Sequence, residues 1–234
     1  EIFNDILEFA KIEAGYAHIA PSDFILNDVM QRISNSVRQK AEEKKLKFRY
    51  EISEKMPSVL IGDPLKLSQV LKHLTGNALK FTEKGEIGIF AETVSYPEEG
   101  RVKLKFSVRD TGIGISADKS DIIFESFMQA DNYTTRRYGG TGLGLAISKS
   151  LVQLMKGNIG LESEPGKGST FAFAIPLRIA HRPLPMPVQQ NSEQKTEKFS
   201  GTILVAEDNT VNMMIITKFI SKTGCQVIRA ENGR

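Results

Sequence analysis

His73-Leu74-Thr75-Gly76-Asn77-Ala78-Leu79-Lys80-Phe81 closes a helical pattern that opens at Pro64, where the first turn tolerates proline and Asp63 stands as the cap. Leu67, Val70, Leu71, Leu74, Ala78 and Phe81 form an apolar stripe at helical spacing. His73, Asn77 and Lys80 follow at i, i+4 and i+7, so they share one face beside that stripe and can reach a ligand lying along a sheet. The plain alternative is a solvated Lys80 and an Asn77 bonded to nearby backbone.

Three glycine-bearing segments come after it: Asp110-Thr111-Gly112-Ile113-Gly114, Gly139-Gly140-Thr141-Gly142-Leu143-Gly144-Leu145 and Gly166-Lys167-Gly168-Ser169-Thr170. Alone, each marks no more than a turn or a helix cap. In the preceding strand Val102, Leu104, Phe106 and Val108 alternate with charged residues, so Asp110 points to the apolar face. A buried carboxylate needs a donor, and Gly112 and Gly114 let the backbone turn closely beside it. Capping of a turn before Gly112 is the competing use of Asp110. The third segment runs into a helix carrying Leu145, Ala146, Ile147 and Leu151, whose first amides make an anion site. A dinucleotide fingerprint requires a strand immediately before the glycines, whereas a polar stretch precedes them here; Gly166-Lys167-Gly168 lacks the phosphate-loop spacing.

In this joint order the segments resemble the N box and the successive glycine boxes of the histidine-kinase catalytic domain, a member of the GHKL ATPase superfamily, over about three quarters of the chain. The resemblance implies an α/β fold, the two-layer Bergerat sandwich, with a mixed sheet covered by three long helices. It implies ATP as ligand with Mg2+ as cofactor. Asp110 meets the adenine amine; Gly112, Gly114, Gly140, Thr141, Gly142, Leu143 and Gly144 approach the nucleotide; Asn77 gives its amide oxygen to magnesium and Lys80 approaches the phosphates. Thr170, with Phe171, Phe173 and Ile175 inward, lines the base side. Phe124 and Phe127 around Glu125-Ser126 resemble the family's F box, although ordinary core packing explains them as well. Ser116 to Tyr138 reads as a mobile lid carrying Arg136 and Arg137. His73 departs from the pattern, in which asparagine is common, and its role stays open.

Outward from this centre, Ile2, Phe3, Ile6, Leu7, Phe9 and Ala10 make a helical stripe stopped at Gly15, and Ile6 to Gly15 resembles the close of a sensor kinase's second dimerisation helix. An extended stretch to Phe24 precedes a helix that Asn27 or Asp28 would cap, carrying Val29, Ile33, Val37 and Ala41. Strands are expected near Leu46 to Ile52, Ile87 to Val94, Val102 to Asp110, Asn158 to Ser163 and Thr170 to Ile175. Ala180 to Ser200, with Pro183, Pro185 and Pro187, reads as a linker. Thr202 to Ala206 then reads as a buried strand before Glu207-Asp208 and a helix from about Val211 to Thr223. That piece resembles the incomplete start of a flavodoxin-like receiver domain, with Glu207 and Asp208 as its acidic metal-binding pair. The expected domains are thus 1–15, 16–178, a linker 179–200 and 201–234.

A net charge of +3 with 25% charged residues is too slight to call for nucleic acid or an acidic membrane surface. One cysteine, Cys225, excludes an intrachain disulfide framework and fits a reducing compartment. No apolar run approaches the roughly 20 residues of a membrane helix, so the chain is expected to be cytoplasmic, whether or not its parent is anchored elsewhere. The resemblance implies transfer of the ATP γ-phosphoryl group to a histidine on the dimerisation helices, then to an aspartate on a receiver or response regulator. His18, His73 and His181 lack the acceptor's sequence setting, which puts that histidine upstream. A homodimer is implied for the parent and a monomer is compatible with this piece. The alternatives are a GHKL ATPase that hydrolyses ATP to drive a clamp, as gyrase, mismatch-repair ATPases and heat-shock chaperones do, and a non-catalytic docking module.

Overall fold

Strand β7 (Gly168–Ile179) is the spine of the larger sheet, because among the described residues three other strands pair with it. The computed structural model describes residues 2–53, 56–120, 122–126, 142–180, 201–208, 210–221 and 224–230. Residues 1–184 and 185–234 form two compact units.

In the first unit, α1 (Ile2–Glu13), β1 (Ser22–Ile25), α2 (Leu26–Glu43), β2 (Lys47–Ile52), β3 (Val59–Gly62) and α3 (Pro64–Phe81) lead to β4 (Glu86–Ser95) and β5 (Arg101–Asp110). Two short 3-10 turns, α4 (Gly144–Leu154), β6 (Asn158–Glu164) and β7 follow. The sheet order is β1-β3-β7-β5-β4-β2, and β6 also pairs with β7. Both edge partners fit because β6 takes the first half of β7, Asn158↔Ala174 to Glu164↔Gly168, while β3 takes its far end at Leu60↔Ile179. The β2–β4 pair is parallel and the others antiparallel, so the sheet is mixed, as expected.

Alternation in β5 and β7 drives one face of the sheet inward. Val102, Leu104, Phe106 and Val108 lie beside Phe171, Phe173, Ile175 and Leu177, all buried, and the Phe106 and Phe173 rings stack with centroids 5.1 Å apart. Helices α2, α3 and α4 cover that face through Val29, Ile33 and Val37, through Leu67, Val70, Leu71 and Leu74, and through Ile147, Leu151 and Val152. Each such side chain contributes about 1.5–3 kcal/mol of transfer free energy, so the sandwich is held chiefly by this layer.

Asp63 caps α3 as the sequence indicates: its carboxylate accepts from the amides of Leu65 (3.1 Å) and Lys66 (3.0 Å), with Pro64 at the first position. Three expectations are corrected. Helix α2 starts at Leu26, not after Asn27 or Asp28; Ile25 is its N-cap without a side-chain bond, because buried Leu26 donates its amide to the Ser58 carbonyl and draws the start forward. Strand β3 was not expected at all. Thr75 and Leu79 complete the stripe of α3, whereas Phe81 is only half-buried.

The second unit has β8 (Thr202–Ala206), α5 (Thr210–Ser221) and β9 (Gln226–Ala230), with the two strands parallel. The strand at Thr202–Ala206 is present but not buried: Leu204 is 67% exposed, since two strands and one helix cover little of each other. Among the described residues, no helix is long and apolar enough to cross a membrane.

Candidate functional site

Asp110 ends β5 and is 6% exposed, on the apolar face, as period-two alternation requires. Its carboxylate accepts from the Gly112 amide (2.8 Å) and from the amide of Ser169 on β7. Burial pushes its pKa up, outweighing the two amides that pull it down. An ionised carboxylate accepts about four hydrogen bonds, so after two amides it retains capacity for a ligand donor.

The loop after Asp110 is pinched between two pieces of backbone. A Cβ on Gly112 would run into the Phe81 carbonyl at the end of α3, and one on Gly114 (φ +69°) would run into the Glu164 carbonyl at the β6–β7 turn. Ile113 donates to the Phe81 carbonyl (3.4 Å) and accepts from the Gly166 amide (2.8 Å). The two glycines therefore serve close approach, and a planar group could lie against this loop.

On α3, His73, Asn77 and Lys80 are all half-buried, at the border between core and solvent. Lys80 has its pKa lowered by burial, and its Nζ lies 4.8 Å from the Phe81 ring centroid. A partly desolvated ammonium interacts more strongly with an anion than a fully hydrated one. His73 has partners that sequence reasoning missed. Its Nδ1 is 3.3 Å from Ser148 Oγ on α4, and its Nε2 is 3.5 Å from the Asp5 carboxylate on α1. Glu8 and Lys66 form an ion pair that also joins α1 to α3. Both pairs join residues more than 50 positions apart, which no local spacing reveals.

Helix α4 opens at Gly144 beside the His73 ring, after Gly142 at φ +70° and buried Leu143, and no side chain caps it. Its first amides have the geometry of an anion site. Gly139, Gly140, Thr141, Phe127, Arg136, Arg137 and the lid from residue 127 onward lie outside the described residues. Phe124 packs edge-on against Phe171, with centroids 6.2 Å apart, which is a core contact.

Thr170 calls for a correction. Ser169 is the cross-strand partner of Asp110, and Ser169, Phe171 and Phe173 are buried in alternation with half-buried Thr170. Thr170 is therefore turned to the other face, and Ser169 is the residue that meets Asp110. Alternation with the inward Phe171, Phe173 and Ile175 already turns Thr170 away; what the sequence does not carry is the register that sets the inward Ser169 opposite Asp110. In the second unit Glu207 and exposed Asp208 follow β8, the amide of Glu207 donating to the Ala230 carbonyl (3.0 Å). No group of three or more His, Cys, Asp or Glu is placed to hold a metal among the described residues. Magnesium keeps several waters and takes few protein oxygens, so half-buried Asn77 fits it as a single amide ligand beside phosphates.

Comparison with known proteins agrees with this geometry. Residues 62–179 match the family described as histidine kinase-, DNA gyrase B-, and HSP90-like ATPase. The chain is 37% identical over 240 residues to hybrid signal transduction histidine kinase K of Dictyostelium discoideum, covering 99% of this chain and 20% of that protein. It is 37% identical over 236 residues to the autoinducer 2 sensor kinase/phosphatase LuxQ of Vibrio harveyi, covering 99% and 27%. The chain thus spans between a fifth and about a third of the length of such relatives. Full-length ShkA, solved in complex with AMPPNP, matches with a TM-score of 0.65 at 29% identity, covering 98% of this chain and 45% of that one. The catalytic domain of histidine kinase ThkA matches at 0.53 with 25% identity, covering 67% and 95%. Its motifs, its mixed sandwich and these likenesses agree, and the chain belongs to the histidine kinase-, DNA gyrase B- and HSP90-like ATPase family.

Proposed function

We propose that this chain is the ATP-binding catalytic part of a hybrid sensor histidine kinase, which passes the ATP γ-phosphoryl group to a histidine outside residues 1–234. The observation that carries it is the buried Asp110, held by two amides with acceptor capacity to spare beside a loop threaded through Gly112 and Gly114. Asp110 accepts from the adenine amine, and the loop closes on the ring. Lys80 and the start of α4, with Gly140 to Gly144, hold the polyphosphate. Asn77 offers its amide oxygen to Mg2+, which neutralises phosphate charge when bound.

In the transfer, an imidazole nitrogen of the acceptor forms a bond to the γ-phosphorus as the bond to the β–γ bridging oxygen breaks. ADP leaves with that electron pair and the imidazole proton goes to solvent. The protein contributes positioning and charge neutralisation. Clamp-type hydrolysis needs a base one turn before Asn77. That place belongs to His73, whose ring nitrogens already face Asp5 and Ser148, so transfer is the better reading.

Residues 1–15 are the end of a dimerisation helix in this proposal, 16–178 the catalytic domain, 179–200 a linker and 201–234 the start of a receiver, with Glu207 and Asp208 as its acidic pair. The partners are the acceptor helix, a receiver or response regulator, and a second copy in the parent. The chain works in the cytoplasm, where ATP is.

The test is calorimetric titration with an unhydrolysable ATP analogue and magnesium. The unsubstituted chain is expected to bind, and Asp110→Asn to bind about 10- to 100-fold more weakly, the range for losing a hydrogen bond to a charged group. Absence of binding by the unsubstituted chain would overturn the proposal.

A further inference from the structure

Asp110, Ser169 and Ser163 form one row across three neighbouring strands. Ser169 is the register partner of Asp110 between β5 and β7, and of Ser163 between β7 and β6. The Ser163 hydroxyl is 2.9 Å from Ser169 Oγ, donates to the Gly168 carbonyl at 2.9 Å, and accepts from the Ile115 amide at 2.8 Å. A hydroxyl has one donor and two acceptor positions. All three are used when Ser169 donates to Ser163, and in that arrangement the side chain is saturated.

The arrangement has a mechanical consequence. The recognition loop leaves the row at Asp110, passes Gly112 and Gly114, and is drawn back to the same row at Ile115. Its beginning is held by the Ser169 amide on Asp110 and its end by the Ser163 hydroxyl on Ile115. Between them, Gly166 donates to the Ile113 carbonyl, and a Cβ on Gly168 would run into the Asp110 carbonyl. Ser163 touches both the loop and the turn while remaining one residue away from the carboxylate.

We propose that Ser163 is a positioning residue: it clamps the recognition loop to the β6–β7 turn, fixes the aim of the Asp110 carboxylate, and so sets the preference for an adenine amine over a purine carbonyl. This rests on the nucleotide reading above. A carboxylate held in one place accepts from an amine and repels a carbonyl oxygen; one free to swing does both less well.

The experiment measures dissociation constants of this chain for unhydrolysable analogues of adenosine and inosine triphosphate, which differ at the exocyclic position, and takes their ratio. Ser163→Ala is expected to shrink that ratio about tenfold, the effect of losing about one hydrogen bond's worth of positioning. Ser163→Thr, which keeps the hydroxyl, is expected to restore it. Ser163→Cys, similar in size and a weak hydrogen-bonder, is expected to fall between and supplies the comparison if Ser163→Ala does not fold. An undiminished ratio in Ser163→Ala or Ser163→Cys, whatever happens to overall affinity, overturns the inference by leaving Ser163 with hairpin stability alone. Failure of the unsubstituted chain to bind either analogue overturns the nucleotide reading as well.

Discussion

Asp110, the residue proposed to meet adenine, acts against the stability of its own fold. Burial raises its pKa above the ordinary carboxylate value despite two amide donors. The nucleotide-free folded chain therefore binds this proton more readily than the unfolded chain, and its stability falls as pH rises from about 4 through the raised folded value. Asp110→Asn carries no charge to bury. Without nucleotide it is expected to melt higher than the unsubstituted chain at neutral pH, the gap narrowing as pH approaches about 4; thermal unfolding across that range checks it, and a gap that widens on acidification contradicts it. The alternation of β5 made the inward turn of Asp110 legible in the sequence, and the spacing of α3 did the same for Asn77 and Lys80. The inward turn of Ser169 was equally legible, since alternation groups it with Phe171 and Phe173 and leaves Thr170 on the other face; its place opposite Asp110 was not, because only pairing with β5 sets the register. The partners of His73 were hidden for a different reason: they come from two other helices.

At the scale of the element, α3 was readable from both ends because its signals are local. Asp63 caps two amides of its own helix, and Oδ2 also accepts from the Ala20 amide at 2.9 Å, tying the segment after α1 to the start of α3. Asp63→Ala removes all three acceptor contacts at a buried position. It is expected to destabilise the chain by about 1–3 kcal/mol, read as a lower denaturant midpoint with an unchanged slope. Adenine selectivity should persist in the molecules that remain folded, since Asp63 lies at the end of α3 remote from Phe81, where the recognition loop packs. Helix α2 taught the opposite lesson. Asn27 and Asp28 are good caps by residue type, yet a buried Leu26 and the Ser58 carbonyl moved the boundary ahead of them. Strand β3 escaped notice because four residues are too few to show a period, and it exists through pairing with β1 and β7.

The whole molecule divides into units of unequal substance. The first buries a continuous core on one face of seven strands, whereas in the second Leu204 and Met214 are 67% and 71% exposed. A two-stranded sheet with one helix is marginal by itself. In this chain, amide exchange is expected to be fast across residues 202–230 and slow by orders of magnitude in β5 and β7; strong protection of the segment from 203 to 228 would contradict this. What the sequence by itself determined was the set of local facts: which residues alternate, which share a helix face, which glycines admit close backbone, and in what order the boxes run. Those depend on periodicity and steric permission, which each segment carries alone. Only the tertiary structure decided the register that sets Ser169 and Ser163 in line with Asp110, the division of β7 between β3 and β6, and the meeting of Asp5, His73 and Ser148. These are contacts between distant segments, and their free energy comes from burial that no segment achieves before the sheet is assembled.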